Sequence, residues 1–408
     1  MLCYNANTNV EIKGKIKKMN NKIIRKNKFL ILLLGILGIC YALLDWDSNI
    51  SDLFYLRYNN KILISIITAG IGFARFVATI FCIKINGSKN PNKVFNKLIS
   101  CCIALTLVSC FLYQYGFAVI FTIIYLLLQI FLEILSGYHF PYVSSSLPDE
   151  QVIQVHSKRV AVFKLLNAAG ITLSAFICAS YYNQAFLIIS VICTVIFLIS
   201  ILIVINITNI NEKPTVKKVS LLEKLNISNY SSNFKIWTIV RIIGKFSTSS
   251  LVVLLSLRAI DSNVNISILK TCKSILWIIS SIGFFSAGFF IKKKLIINGD
   301  IIIKLFIVIL LPLTLYNNIF ILILILMYGI LEPFNSISHL EMLKKDEDGI
   351  DLAQKDLVVS LFSYLSKFLS GIILVNINFA VAISIIFVLL LISVIVEYLL
   401  YKKYKLKD

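Results

Sequence analysis

Apolar residues run along this chain in long blocks separated by short polar seams. Blocks of roughly 17–25 residues are the length that crosses a bilayer as a helix, and twelve occur, near 29–44, 61–83, 94–113, 116–140, 159–182, 184–206, 234–257, 266–291, 301–316, 318–340, 355–376 and 378–400. The seams after the even-numbered blocks carry charges. Several of the others shrink to Gln114-Tyr115, Tyr182-Asn183 or Asn317-Asn318, where only a tight turn fits. The pattern predicts an all-α integral membrane protein of 12 transmembrane helices. Six lie in residues 29–206 and six in residues 234–401, with a polar linker at 207–233.

Composition agrees. The 408 residues are 58% hydrophobic and 15% charged, against roughly 45–50% and 25% for soluble domains. A net charge of +20 would point to nucleic acid if the basic residues lined a soluble face, but they sit in the seams. No nucleic-acid partner is expected, and the lipid bilayer is the expected surrounding. Of the 40 Lys and Arg, 29 fall on one side, counting a basic N-terminus (1–28) and a basic tail (402–408). The other side holds Arg57, Lys61 and Arg258. The positive-inside rule then puts both termini in the cytoplasm, with the cell membrane as location. The linker's basic residues suit anionic lipid headgroups. The first block ends in Leu44-Asp45-Trp46-Asp47 without a small-residue cleavage site, so it is read as a helix and not as a signal peptide. The nine cysteines show no C-x-x-C or Cys/His cluster, so neither disulfide nor zinc is expected. No Walker, Rossmann or nucleophile-elbow motif occurs, and no enzyme activity or cofactor is expected.

The chemistry is expected where polar residues enter the blocks, because an ionisable group at membrane depth is costly unless it serves a site. At helical period the polar residues line up as stripes. Examples are Ser65, Thr68, Gly72, Arg75, Thr79 in block two, Thr122, Tyr125, Gln129, Glu133, Ser136 in block four, and Asp356, Ser360, Ser363, Tyr364, Lys367, Ser370 in block eleven. Lys164 belongs to such a stripe in block five, Arg241 and Lys245 in block seven, Lys270, Lys273 and Trp277 in block eight, and Glu332 and His339 in block ten. Blocks three, six, nine and twelve have no ionisable residue near mid-depth, with Lys304 and Glu397 close enough to the ends to snorkel. They read as the lipid-facing set.

Glu133 and Glu332, half a chain apart, admit two roles. Each is a proton-coupling carboxylate raised toward neutrality by desolvation, or a structural partner of Arg75 or Lys367. Arg75, Arg241, Lys245, Lys273 and Lys367 outnumber these two glutamates. Since an unpaired buried charge is costly, the excess suggests an anionic or zwitterionic solute. Trp277 is a candidate to stack on that solute. His139 and His339 are candidate gates or satisfied interfacial histidines, and Trp46 and Trp237 read as interfacial anchors.

Two six-helix halves joined by a cytoplasmic loop resemble the major facilitator superfamily of secondary transporters across nearly the whole chain. That family's Gly-x-Leu-Ala-Asp-Arg-x-Gly-Arg-Arg loop would fall at Cys82-Ile83-Lys84-Ile85-Asn86-Gly87-Ser88-Lys89, which lacks the Asp. Its repeat would fall at Gly288-Phe289-Phe290-Ile291-Lys292-Lys293-Lys294, which has Lys in the Asp position. The span-five motif is reduced to Ala169-Gly170. The resemblance implies a carrier that moves a small-molecule solute by alternating access around a midplane site, with protons as candidate coupling ion. The second reading is a flippase, or a non-transporting membrane protein with an assembly or immunity role.

Overall fold

The structure is a computed structural model that describes residues 36–85, 91–144, 149–206, 230–289, 293–344 and 352–405. The basic N-terminus, most of the linker, and parts of both signature loops lie outside the described residues. Every regular element among the described residues is helical. The first block contributes α1 (36–43), then a π-helical turn, Trp46–Ile50, and a short α2, Ser51–Tyr58. Long helices follow: α3 Lys61–Ile85, α4 Pro91–Gln114, α5 Ala118–Ser144, α6 Asp149–Ser180 and α7 Ala185–Asn206. Beyond the linker come α8 Ser232–Ser249, α9 Leu251–Asp261, α10 Ile266–Phe289, α11 Lys293–Leu310, α12 Asn318–Lys344, α13 Leu352–Asn376 and α14 Phe379–Lys405. Among the described residues ten helical stretches are long and apolar enough to cross a membrane, counting α8 and α9 as one. The short seams turn as tightly as expected, with Gly116 at φ 81° between α4 and α5 and a 3₁₀ turn at Tyr182–Gln184.

The helices form one bundle. α3 packs on α13 and α5, α6 on α10, α10 on α12, and α8 on α13 and α14, while α4 packs on α5 and α7 and α11 on α12. The α3/α13 crossing is tight enough to demand glycine. A Cβ on Gly72 would stand 2.6 Å from the Phe368 backbone nitrogen, and one on Gly371 would stand 2.5 Å from that of Ala69. Outward faces are apolar at helical spacing, as in Val191, Val195, Leu198, Leu202 on α7 and Val388, Ile392, Ile395, Leu399 on α14. With no driving force to leave lipid tails, such faces belong in the hydrocarbon.

The first block holds the largest departure from expectation. Its charged end is folded inward: Trp46, Asn49, Ile50, Ser51, Asp52 and Phe54 are all 0% exposed. A helix break leaves backbone carbonyls without partners, and side chains from neighbouring helices supply them. The Leu44 carbonyl accepts from Tyr125 Oη at 2.5 Å and Gln129 Nε2 at 2.9 Å, and Asn49 Nδ2 donates to the Leu43 carbonyl at 2.7 Å. Trp46, expected as an interfacial anchor, donates its indole N–H to Thr68 Oγ1 at 2.8 Å. Block seven is also interrupted, at Ser250. There the hydroxyls of Ser249 and Ser250 meet Ser370 of α13 at 2.9 and 2.8 Å.

Two further expectations are corrected. Lys304 and Glu397 do not snorkel: their side chains are 3% and 4% exposed and pair at 2.6 Å, with Asp300 3.1 Å from the same ammonium. Helices α11 and α14 therefore face lipid on one side only and share a buried ionic contact on the other. Trp237 is likewise 4% exposed and is not an interfacial anchor.

Candidate functional site

The bundle has two unlike ends, one carrying the short turns and the other the basic loops. At the short-turn end Asp52 lies between two lysines of α10. Lys273 Nζ stands 3.0 and 2.9 Å from its two oxygens, and Lys270 Nζ stands 3.0 Å from Oδ2. Lys270 also donates to Asn49, at 2.7 Å to the carbonyl and 2.6 Å to Oδ1. One turn before Asp52, Asp47 accepts from Lys367 of α13 at 2.5 Å. Tyr55 and Lys61 reach Asp261 at the end of α9, at 2.7 and 3.0 Å. Every one of these contacts joins residues before the linker to residues after it.

Deeper in the bundle, Arg75 Nε on α3 donates to Glu133 Oε1 on α5 at 2.7 Å. Glu332 on α12 pairs with neither Arg75 nor Lys367. Its partners are Lys164 of α6 at 2.5 Å and Ser280 of α10 at 2.8 Å. The Lys164 ammonium stands 3.8 Å from the Trp277 ring centroid, so Trp277 is positioned as a cation–π partner of that lysine. Desolvated cation–π contacts are worth about 2 kcal/mol. Trp277→Leu should therefore lower the unfolding free energy in detergent by about 1–2 kcal/mol, and Trp277→Phe by less. A loss shared equally by both variants would show that the contact is only apolar packing.

Toward the basic-loop end, Arg241 Nη1 donates to Asn335 Oδ1 at 2.7 Å, and its Nε is buried without a hydrogen-bond partner. Lys245, one turn along α8, has no hydrogen bond or salt bridge among the described residues, although Arg241, Glu332, Arg75 and Lys367 all act on its charge. Tyr328 is within the same electrostatic reach of Glu332, Asp47 and Arg75. Arg75, Lys245, Tyr328, Glu332, Lys367 and Asp47 thus lie within electrostatic reach of one another in the bundle interior, a charged region termed the chamber. Asp47 Oδ1 is buried there without a partner. His339 is buried and stands at the end of the apolar stretch Asn318–His339. Its Nδ1 accepts the Trp237 indole N–H at 3.1 Å, and Nε2 meets Asp356 Oδ1 at 3.1 Å, which places the ring proton on Nε2. The side chain of His139 lies outside the described residues.

Exposure varies among these side chains. Asp52, Lys270 and Lys273 are 0–1% exposed and Lys367 is 6%, whereas Arg75, Glu133 and Glu332 are 31%, 26% and 27%, and Asp356 is 45%. The Asp52 cluster is closed off from solvent, while Lys61 and Asp261 at the same end are 51% and 34% exposed. Sequence reasoning placed Arg75, Glu133, Arg241, Lys245, Lys273, Trp277, Glu332 and Lys367 in one interior; Arg75 meets Glu133 there, while Lys273 meets Asp52 and Lys367 meets Asp47 at the π-helical turn. It missed Asp47, Asn49 and Asp52, which it assigned to an exterior seam. The usable signal was the basic excess itself, since two aspartates directly after an apolar block are the nearest source of compensating charge.

No protein-family profile matches the sequence, and no curated protein resembles it by sequence. Solved structures do resemble the fold. The nucleoside transporter NupG superposes with a TM-score of 0.70 at 12% identity, covering 92% of this chain and 99% of that one. A single-residue mutant of NupG gives 0.65 at 13% identity, with the same coverage of both chains. The human organic anion transporter MFSD10 gives 0.62 at 13% identity, covering 91% of this chain and 99% of its own. The chain has the fold of the major facilitator transporters.

Proposed function

We propose that the protein is a secondary active transporter of a small anionic or zwitterionic solute, working by alternating access in the cell membrane. The observation that carries this reading is the charge arrangement of the chamber. The carboxylates of Asp47, Asp52, Glu133 and Glu332 are each in contact with lysine or arginine, whereas Lys245 has no such carboxylate. An uncompensated ammonium in a protein interior calls for an anion. The unpartnered Asp47 oxygen adds an acceptor for an ammonium group, which admits zwitterions. MFSD10, which has the same fold, is an organic anion transporter, and this supports the same substrate class here.

In this reading the two halves are 29–206 and 234–401, with twelve spans. The ten apolar stretches are joined by the first block, to which α1 belongs, and by α6, whose apolar part is Val162–Cys178. In the same reading the basic-loop end is cytoplasmic, and burial of the Asp52, Lys270 and Lys273 cluster supports an inward-facing conformation. Glu133 and Glu332 serve as ion-pair partners that hold the chamber's shape.

Reconstitution in proteoliposomes tests the assignment, using labelled anionic, zwitterionic and cationic metabolites. Anions or zwitterions should compete for uptake. A hydrogen bond to a charged group is worth about 1.5–3 kcal/mol, so Lys245→Gln should weaken apparent affinity roughly 10- to 150-fold. Competition by cations alone would overturn the reading, and absence of any flux from well-folded protein would favour a non-transporting role.

A further inference from the structure

The buried contact among α8, α11, α12 and α14 adjoins the chamber at Lys245, and its carboxylates have no role in the mechanism above. Two carboxylates, Asp300 (1% exposed) and Glu397 (4%), share the single ammonium of Lys304 (3%) at 3.1 and 2.6 Å. The second cation, Arg241, reaches Asp300 only through an amide: its guanidinium donates to Asn335 Oδ1 at 2.7 Å, and Asn335 Nδ2 approaches the Asp300 oxygens at 3.3 and 3.5 Å. A cavity of about 10 Å³ lies beside the cluster, lined by Arg241, Lys245, Lys304, Asn335 and Glu397. That is room for a single water's centre and too little for a metabolite. The orphaned Nε of Arg241, a residue 7% exposed, belongs to the same lining.

We infer that the Asp300/Glu397 pair is a proton-binding site, loaded through this cavity and coupled to solute binding by Arg241. When Arg241 is held toward Asn335, the two carboxylates face two cations and the array is neutral. When a solute anion draws Arg241 toward the chamber, the pair keeps only Lys304 and one negative charge is uncompensated. A proton restores neutrality. Hydronium at the cavity gives its proton to a Glu397 carboxylate oxygen and leaves as water, and the reverse step releases it. Two interacting carboxylates titrate as one unit, so the site is the pair. The groups facing it are Arg241 and Lys245 from α8, Asp300 and Lys304 from α11, Asn335 from α12, and Ser393 of α14 itself, 3.3 Å from Glu397 Oε1. The charge of Asp356 on α13 also acts on Arg241. Because coupling is reciprocal, proton and anion favour each other's binding, which makes the transporter a symporter.

This inference rests on the transport reading for its direction but can fail separately. In infrared difference spectra of the reconstituted full chain, raised and lowered pH should reveal a protonated-carboxyl band that disappears in both Glu397→Gln and Asp300→Asn. In proteoliposomes a one-unit inward proton gradient should concentrate an anionic solute by up to about tenfold for one proton per solute. In Glu397→Gln, whose folding is checked by size-exclusion chromatography, accumulation should fall to equilibration while solute exchange persists. Glu397→Asp should restore part of the accumulation. Retained accumulation in Glu397→Gln, or a carboxyl band unaltered in both variants, would overturn the site. A wild-type protein that moves no solute yet loses its band in Glu397→Gln would overturn transport and leave proton binding standing.

Discussion

Asp52→Ala is expected to lower the unfolding free energy in detergent by about 3–5 kcal/mol, because it strands buried charge. Lys270 and Lys273 are 0% and 1% exposed, and Asp52 is the carboxylate that meets both. Lys270 keeps its contacts with Asn49, at 2.7 and 2.6 Å. Lys273 would be left with the Asp47 carbonyl at 3.1 Å. The stranded lysine is therefore the main source of the cost, and Lys273→Met in the same chain should recover much of it. Denaturant unfolding of the two variants and their combination provides the test. If the single and double variants are equally destabilised, the loss comes from packing of the π-helical turn and not from charge.

Gly72→Leu is expected to shift the population away from the sealed conformation. Its Cβ would meet backbone atoms of Phe368 and Tyr364 at 2.6 and 2.7 Å, and backbone cannot rotate aside as a flexible side chain can. Overpacking of this kind costs about 1–3 kcal/mol, equivalent to roughly a 5- to 150-fold change between two states. The cost falls only on the state in which α3 and α13 are in contact. Transport should slow. A cysteine placed at Asp52 in the Gly72→Leu background should react faster with a water-soluble thiol reagent from the short-turn side than the same cysteine in the unchanged background. Equal reactivity would mean that the crossing is not part of the seal.

Much of the architecture was legible because bilayer length and charge asymmetry act on each block independently of its neighbours. The all-helical fold, ten of the apolar spans and the tight turns follow from them. The partners did not, because helical period reports the face a residue occupies and not what lies opposite. Tyr125 and Gln129 form the same stripe whether they line water or bind a broken backbone, and here they bind the Leu44 carbonyl. Glu332 found Lys164, which the stripes had located, and not either expected cation. Lys304 and Glu397 were judged by distance to the block ends alone. The i,i+4 spacing of Asp300 and Lys304 was readable as a pair, but its closure by Glu397 from α14 needed three dimensions.

The π-helical turn gives the short-turn end a mechanical property. Asp47, Asn49 and Asp52 lie within two turns of one segment, and between them they engage Lys270, Lys273 and Lys367 on two different helices. A latch whose teeth all sit on one short bar has no half-released position. Withdrawing the bar breaks every contact, and leaving it in place keeps every contact. On the proposed transport reading, the short-turn end should therefore switch between shut and open in a single step, with little leak between turnovers.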